Sequence, residues 1–138
     1  MKEDTYKNPL PEITPVSKPF FRAAKEHKLL IQRCKDCGKN IFYPKSLCPH
    51  CLSSNLEWFE SKGKGRVYSY TIVEAGAPEA FQAAVPYVLC VVDLEEGVRM
   101  LSWIVDCNYE DVKCDMDVVV TYRDLTEDIA LPMFRPAK

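Results

Sequence analysis

Four of the seven cysteines stand in two closely spaced pairs, a pattern that is typical of metal binding. Cys34 and Cys37 form the first Cys-x-x-Cys pair, and Cys48 and Cys51 form the second after ten intervening residues. Two residues between partners let the backbone fold back, so that both sulfurs of a pair point at one ion. Four thiolates close a tetrahedral shell around Zn²⁺ and leave no position open for a substrate. We therefore predict a structural zinc site, in which the metal replaces a core that a segment of roughly thirty residues cannot build.

The residues around the two pairs agree with this prediction. Gly38 suits a turn in which a backbone N–H approaches a thiolate with no Cβ in the way, and Pro49 pre-sets the matching turn of the second pair. His50 lies inside the second pair and is expected to face solvent rather than to replace a cysteine. A redox role for one pair is the weaker alternative, because a second matching pair favours metal. Three lysines would offset the negative charge of a zinc ion bound by four thiolates: Lys35, Lys39 and Lys45.

The rest of the sequence contains no recognisable catalytic arrangement. Its two histidines, His27 and His50, have no evident nucleophile as partner, and no nucleophile-elbow, Walker or dinucleotide-binding motif occurs. Cys90 lies in an apolar run, where cysteine behaves as a small hydrophobe. Cys107 and Cys114 are expected to be free thiols without a basic neighbour. We predict no catalytic residue on this chain.

The net charge of −2 is divided unevenly along the chain. Residues 1–66 contain thirteen Lys and Arg against seven Asp and Glu, a formal charge of +6, and residues 67–138 contain five against thirteen, a formal charge of −8. Two interpretations of this charge asymmetry have equal weight. The first half provides a basic face for an anionic ligand or partner, or the two halves of the chain attract each other. No apolar run approaches the roughly 18 residues that span a bilayer. The polar start of the chain lacks a secretory pattern, so we expect a cytoplasmic protein without a membrane segment.

Proline, glycine and apolar patterns divide the chain into three segments. Residues 1–27 are predicted to form a proline-interrupted arm and a short helix over 17–27, with Ser17 as N-cap and Pro19 in the first turn. Residues 28–60 carry both cysteine pairs between short strands and form a zinc ribbon. Residues 61–138 form a β-domain, which begins with a linker and turn at 61–65.

The pattern of the last segment is that of short β-strands. Strands are expected over 66–73, 87–94, 98–106 and 117–123, and a fifth over 129–134 is predicted to be an edge because it contains Pro132. Alternation in the first strand places Tyr68, Tyr70 and Ile72 on one face. Five short strands with a hairpin suit a small closed barrel of the OB-fold type. The predicted fold class is therefore mainly β: a short N-terminal helix, a zinc ribbon and a five-stranded OB-fold barrel.

Several short motifs occur together in these segments: Pro19-Phe20-Phe21, Gln32-Arg33-Cys34-Lys35-Asp36-Cys37-Gly38, Cys48-Pro49-His50-Cys51, Gly63-Lys64-Gly65-Arg66-Val67-Tyr68-Ser69-Tyr70-Thr71, Pro86-Tyr87 and Leu131-Pro132-Met133-Phe134. Over about residues 16–136 the chain resembles a family of small proteins that join a rubredoxin-like zinc ribbon to an OB-fold. One departure is Asp115-Met116, where the family pattern has a glycine before the methionine. The departure concerns the turn into the fourth strand of the barrel.

This resemblance implies an accessory role. Members of the family sit beside thiolases, thiolase-type aldolases or acyl-CoA hydratases and help to shape an acyl-CoA site, while the catalytic residues lie on the partner. For this chain it implies structural zinc, coenzyme A or acyl-CoA at a partner interface, and a hetero-oligomer, for example of the benzoylsuccinyl-CoA thiolase type. Arg22, Lys25 and Lys35 are the candidates to meet the phosphates of coenzyme A.

Two other functions are weighed against this one. OB-folds also bind single-stranded nucleic acid through basic grooves and stacking aromatics. Four aromatic residues could stack on bases, although strand alternation fits them better as barrel core: Tyr68, Tyr70, Tyr87 and Trp103. The charge of −8 on the β-domain disfavours phosphate contacts, so nucleic acid is the alternative partner. A stand-alone hydrolase that uses an exposed carboxylate has no motif to support it.

Overall fold

One α-helix precedes a small sheet and a barrel in the part of the chain that the structure, a computed structural model, describes: residues 10–137. The elements are α1 (Lys18–Lys25), β1 (Leu30–Cys34), β2 (Asn40–Ile41), β3 (Leu56–Glu60), β4 (Lys64–Val73), β5 (Tyr87–Leu94), β6 (Arg99–Ile104), β7 (Asp117–Asp124) and β8 (Ala130–Pro136). Short 3₁₀ turns lie at Glu79–Ala84 and Tyr109–Asp111. The mainly β fold class is confirmed. No helix in the described range is long and apolar enough to cross a membrane.

The first sheet has the order β2-β1-β3 and carries the cysteine pairs on its connections. β1 pairs antiparallel with β3 over its whole length, from Leu30 opposite Glu60 to Cys34 opposite Leu56. Its own buried apolar residues are few: Cys34, Ile41 and Cys48, with Leu56 packed against them. This sheet is too small to be stable through apolar burial alone.

The second sheet closes into a barrel of order β4-β5-β6-β8-β7, because β7 also pairs with β4. This is the five-stranded OB-fold that the sequence predicts. The prediction that β8 is an edge strand is wrong. β8 pairs with β7 along seven residues, and it contacts β6 through one parallel pair, Ile104 with Phe134. Pro132 has no N–H to donate, so the ladder between β6 and β8 is short and forms the weakest line of pairing in the barrel.

Two further details of the barrel depart from the prediction. The predicted linker at 61–65 is partly strand, since β4 begins at Lys64 and Gly65 pairs with both Leu94 and Val118. A register shift between Val67 and Ser69 then interrupts the alternation of β4. Tyr68 is therefore exposed, whereas Tyr70 and Ile72 pack against the core.

The turn into β7 forms despite the missing glycine. Asp115 has φ 66°, in the left-handed region where a glycine is least strained. Aspartate is one of the residue types that tolerate this conformation, which explains why the turn survives the substitution. The backbone N–H of Asp115 donates to the carbonyl of Val67 at 2.7 Å, which fixes the turn on β4.

The predicted helix is shorter than expected and its cap differs. Ser17 occupies the N-cap position but makes no capping hydrogen bond to the helix. Its Oγ instead accepts from the N–H of Thr14 at 3.0 Å, and the hydroxyl of Thr14 accepts from the N–H of Ser17 at 3.2 Å. Residues 10–16 of the predicted arm precede the helix, and residues 1–9 lie outside the described range.

The helix, the ribbon and the barrel share one core. Phe20 of α1, together with Leu29 and Ile31 of the ribbon, packs in the same buried cluster as the barrel residues Val67 and Phe134. The hairpin turn between β5 and β6 adds polar contacts, through Glu96, to the ribbon and to the two residues that follow it. Its carboxylate accepts from Ser61 Oγ at 2.7 Å and from the N–H of Lys62 at 2.9 Å, and its carbonyl accepts from Asn40 Nδ2 at 2.8 Å. The ribbon is therefore fixed to the barrel on two sides.

We expect Gly65→Ala to destabilise the barrel by about 1–3 kcal/mol, because small-to-large changes in packed sites force the backbone to shift. A Cβ at this position would overlap the carbonyl oxygen of Asp93 and lie 2.8 Å from Val92 Cγ1. Urea unfolding measures the change. Ser69→Ala, at an exposed position of the same strand, is the control. An unchanged free energy of unfolding for Gly65→Ala would show that the β4–β5 spacing is not rigid.

A second prediction concerns the polar contacts between α1 and the β7–β8 turn. Asp124 lies 3.2 Å from His27 Nε2 and 3.6 Å from Lys25 Nζ. Burial raises the pKa of Asp124, but the hydrogen bond from His27 and the charge of Lys25 outweigh it, so the net pKa is below 3.8. A lowered folded-state pKa contributes stability that is present above pH ~4 and is lost as pH falls further.

We expect Asp124→Asn to lower the free energy of unfolding by less than about 1 kcal/mol at pH 7, since the pair is partly exposed. The gap between wild type and variant should narrow as pH falls from 5 to 2, measured by urea unfolding at each pH. Asp128→Asn changes an exposed carboxylate of the same turn and serves as control. A gap that stays constant across this range would assign the stabilisation to something other than the ionised carboxylate.

Candidate metal centre and apolar cleft

The four paired cysteines meet at one point. Their Sγ atoms all lie within 4.8 Å of one another, with Cys34 and Cys48 buried and Cys37 and Cys51 exposed. The Cys34–Cys51 sulfurs are 3.5 Å apart and the Cys37–Cys48 sulfurs 3.7 Å apart. Thiolates on a tetrahedral zinc ion, each ~2.3 Å from the metal, are separated by about 3.8 Å. The spacing of the donor set therefore fits zinc.

Two matching backbone turns, which we call the first knuckle (residues 34–39) and the second knuckle (residues 48–53), hold these sulfurs. The N–H of Gly38 donates to the carbonyl of Cys34 and the N–H of Leu52 to that of Cys48, both at 2.8 Å. The amides of Cys37 and His50 approach sulfurs at 3.5 Å and 3.3 Å, as expected for thiolates that accept N–H groups. The His50 side chain is exposed and is not part of the cluster, as the sequence predicts.

The electrostatics of the cluster favour a cation. The N–H of Cys37 donates to the Cys34 sulfur and lowers the pKa of that thiol to about 7. The N–H of Ser53 lowers the pKa of Cys51, but the neighbouring sulfurs, that of Cys34 foremost, outweigh it and raise the pKa to about 12. Ionisation of one thiol thus makes ionisation of its neighbours less favourable, and a bound divalent metal would offset this repulsion between thiolates.

An apolar cleft of about 710 Å³ lies where the arm, the helix, the ribbon and the barrel meet. Most of its lining is aromatic or aliphatic, and its few polar side chains include Ser102 and Glu12. The principal apolar residues of the lining come from every segment: Leu10, Phe20, Phe21, Phe42, Tyr43, Phe81, Leu101, Trp103, Leu131 and Met133. A cleft of this size and polarity suits an apolar small-molecule group.

The cleft lies over the short β6–β8 ladder. Side chains supply polar contacts here: Tyr43 Oη accepts from the backbone N–H of Leu101 at 3.1 Å, and Ser102 Oγ donates to the carbonyl of Pro132 at 2.9 Å. Leu101 remains half exposed at the rim. The ribbon therefore contacts β6, the barrel strand that borders the cleft. Sequence patterns do not reveal this contact.

Aromatic side chains on the barrel are engaged with one another. Trp103 stacks on Tyr87 with ring centroids 4.3 Å apart, and Phe81 from the β4–β5 loop packs beside both rings. Tyr68 lies under the guanidinium of Arg99 at 3.7 Å. Trp103 and Phe81 line the cleft, and Tyr87 backs Trp103 from outside it, so these rings are engaged with one another rather than free to stack on bases.

The basic candidates for anion contacts lie in different surroundings. Lys25 is engaged with Asp124 and donates to the carbonyl of Thr126 at 2.6 Å. Arg22 is exposed beside a shallow pocket that Lys18 and Lys28 also line. Lys35 is exposed in the first knuckle. The structure thus does not gather the three candidates Arg22, Lys25 and Lys35 into one site.

The described residues define a zinc ribbon packed on an OB-fold barrel, with an apolar cleft between them and no second cluster of potential metal ligands. Family models agree with both parts: a ChsH2-type rubredoxin-like zinc ribbon domain matches residues 21–57, and a ChsH2-type C-terminal OB-fold domain matches residues 58–123. The chain belongs to this ChsH2-type, or DUF35, family of zinc ribbon–OB-fold proteins. The resemblance inferred from the sequence is confirmed.

Relatives of known description are similar over most of the chain. A DUF35 domain-containing scaffold protein of Methanocaldococcus jannaschii is 41% identical over 110 residues, which are 78% of this chain and 77% of that protein. The chain of a solved structure described as an Ltp2-ChsH2(DUF35) aldolase superimposes with a TM-score of 0.82 at 35% identity, covering 94% of this chain and all of that one.

Two longer relatives are described as subunits of acyl-CoA enzymes. A probable enoyl-CoA hydratase alpha subunit of Thermomonospora curvata is 36% identical over 94% of this chain, which spans only 40% of that protein. The benzoylsuccinyl-CoA thiolase subunit BbsA of Geobacter metallireducens is 29% identical over 64% of this chain and 58% of its own length. The relatives are thus scaffold proteins or subunits in acyl-CoA enzyme systems.

We expect Cys37→Ser to release zinc and unfold the ribbon, because the remaining three thiolates leave the tetrahedral shell open. The barrel should remain partly folded but less stable, since Leu29 and Ile31 belong to the shared core. Elemental analysis of the purified protein and thermal unfolding measure the two effects. The control Cys114→Ser, at an exposed cysteine outside the cluster, should retain the zinc content and the Tm of the wild type. Full zinc content and an unchanged Tm in Cys37→Ser would disprove the ligand set.

Proposed function

We propose that this chain is a non-catalytic subunit of an acyl-CoA-processing complex that performs thiolase or thiolase-like cleavage or formation of C–C bonds. The apolar cleft at the junction of arm, ribbon and barrel is the observation that carries the proposal, because it offers space for an acyl group and its lining contains no histidine or cysteine. His27 stacks on Tyr122 and contacts Asp124, and His50 is exposed. Neither histidine lines the cleft.

In this proposal Cys34, Cys37, Cys48 and Cys51 bind one structural zinc ion. The metal holds the two knuckles together and so keeps the Phe42–Tyr43 segment of the ribbon at the cleft. The ribbon, residues 28–60, and the barrel, residues 61–138, act as two units with a common core. A cytoplasmic location is part of the same proposal.

The cleft would receive the acyl part of the substrate. Burial of apolar groups against Phe21, Trp103 and Met133 would provide affinity without chemistry, and the partner enzyme would supply its own catalytic residues. Arg22 is the candidate that we favour to meet a phosphate of coenzyme A, because it is exposed and forms no salt bridge among the described residues. Its pocket is of mixed charge, since Glu26 and Glu60 line it together with Lys18 and Lys28. Lys25 is less suitable, since Asp124 and Thr126 already engage it.

Single-stranded nucleic acid is the alternative partner, and the structure offers little for it. The outer face of β5 and β6, where many OB-folds bind strands, presents Leu89, Leu101 and Trp103. The one arginine of β6, Arg99, donates to Asp93 at 2.6 Å. A surface of this composition lacks the free cations that phosphates require.

The first experiment is gentle affinity purification of the full chain from its native cells, followed by mass spectrometry and activity assays. A thiolase-type, aldolase-type or hydratase subunit in stoichiometric amount, active on acyl-CoA only or better in the complex, would support the proposal. Co-purified nucleic acid, or acyl-CoA turnover by the isolated chain, would contradict it.

We expect Leu101→Asp to raise the KM of the complex for acyl-CoA by about tenfold, since a carboxylate at the rim disfavours an apolar group by roughly 1.4 kcal/mol. The kcat should change little, because the substitution touches no catalytic group. Leu101 is 52% exposed, so the variant should fold. Val16→Asp, at an exposed apolar position that does not line the cleft, is the matched control. Equal KM values for both variants and wild type would show that the acyl group does not bind in this cleft.

A further inference from the structure

The two knuckles differ at one equivalent position. Gly38 follows the second cysteine of the first knuckle and Leu52 follows the second cysteine of the second. Both have left-handed backbone, with φ 78° and 65°, and both donate the same 2.8 Å hydrogen bond to the first cysteine of their knuckle. The fold therefore requires a left-handed residue at each place, and glycine meets that requirement at least cost. The second knuckle has a leucine instead.

Leu52 is unusual among the described residues with positive φ. The other non-glycine residues of this kind are His27, Asp106 and Asp115. Histidine and aspartate are enriched in left-handed conformations, whereas a branched apolar side chain is strained there. The leucine thus lowers the stability of the knuckle relative to glycine.

Packing among residues 10–137 does little to compensate for this strain. Leu52 is 74% exposed, the highest value among the exposed large apolar side chains in the described range, and Leu47 beside it is 49% exposed. Leu47 immediately precedes the second knuckle, and the N–H of Leu52 bonds to the carbonyl of Cys48, the first residue of that knuckle. A strained side chain held in solvent is explained by a contact outside the chain.

The charges around the knuckles indicate the chemistry of that contact. Lys35, Lys39 and Lys45 are exposed, and none of them takes part in a salt bridge within residues 10–137. The nearby carboxylate of Asp36 is already engaged by Ser53 Oγ and by Asn55 Nδ2. The surface of the knuckles and their adjoining residues therefore combines two exposed leucines with three lysines that form no salt bridge among the described residues. Its complement is an apolar pocket bordered by carboxylates on a protein.

We propose that Leu52 of the second knuckle, together with Leu47 just before it, anchors this chain in such a pocket on the catalytic subunit of its acyl-CoA enzyme. The inference rests on the proposed function, since that function supplies the partner. It assigns the zinc centre a second role: the metal presents the anchor at a fixed position on the surface. The knuckle and the cleft are then separate, one for the partner and one for the acyl group.

The test uses the catalytic subunit that purifies with the full chain, and compares its affinity for wild type and Leu52→Gly by isothermal titration. The variant should raise the Tm of the isolated chain by relieving the left-handed leucine, keep its zinc, and weaken Kd by about tenfold or more. Asp115→Gly is the matched control, because it replaces a left-handed residue of nearly the same φ by glycine on the barrel, away from the knuckles. It should leave Kd unchanged. Leu47→Ala, which involves no left-handed residue, should also weaken Kd.

Each outcome decides between specific alternatives. Wild-type Kd for both Leu52→Gly and Leu47→Ala would overturn the anchor and leave the proposed function intact. A loss of self-association or of nucleic-acid binding in Leu52→Gly, with binding to the catalytic subunit unchanged, would assign the knuckle to another partner and overturn the inference. If no acyl-CoA enzyme subunit purifies with the wild-type chain, the proposed function is contradicted, and the anchor, which depends on it, is contradicted as well.

Discussion

The small size of the ribbon is the constraint on which the rest of the structure depends. The ribbon's separate apolar cluster consists of Cys34, Ile41 and Cys48, and such a core cannot offset the entropy of ordering about thirty residues. The chain meets this constraint in two ways. Its four sulfurs converge on one point, where a metal can join the two knuckles, and Leu29 and Ile31 extend the barrel core into the ribbon. The relative position of ribbon and barrel is therefore part of the stability of both.

That shared core gives the cleft its shape. The cleft needs the helix, the ribbon and the barrel at once, because Phe20, Tyr43 and Trp103 come from three different segments. A chain that only had to fold would fill this space with side chains. Instead the walls are apolar and the space between them stays open, which agrees with the presence of related chains among the subunits of acyl-CoA enzymes.

Local patterns in the sequence predicted the parts of the molecule that depend on local spacing. The paired cysteines, the short helix and the five barrel strands were all recognisable, because each repeats a period or motif within a few residues. The cleft was not, since Tyr43 meets Leu101 across 58 residues and no pattern within one segment reports that contact. The bulge at Tyr68 was missed because the prediction assumed strict alternation along the strand, and one extra residue breaks that alternation. The left-handed backbone of Asp115 was missed because the glycine that would have indicated it is replaced by aspartate. The edge assignment for β8 failed because barrel closure depends on the arrangement of all five strands.

The short pairing of β6 with β8 has a consequence for how the barrel can deform. A barrel with uniform ladders resists expansion, because widening it anywhere breaks several backbone hydrogen bonds at once. Here one line of contact has a single parallel pair, supplemented by the hydroxyls of Tyr43 and Ser102. Hydroxyl rotors adjust to small displacements more easily than a peptide ladder does. The barrel can therefore widen along this line, directly beneath the cleft, with the loss of fewer backbone hydrogen bonds than a separation of its other strand pairs would cost.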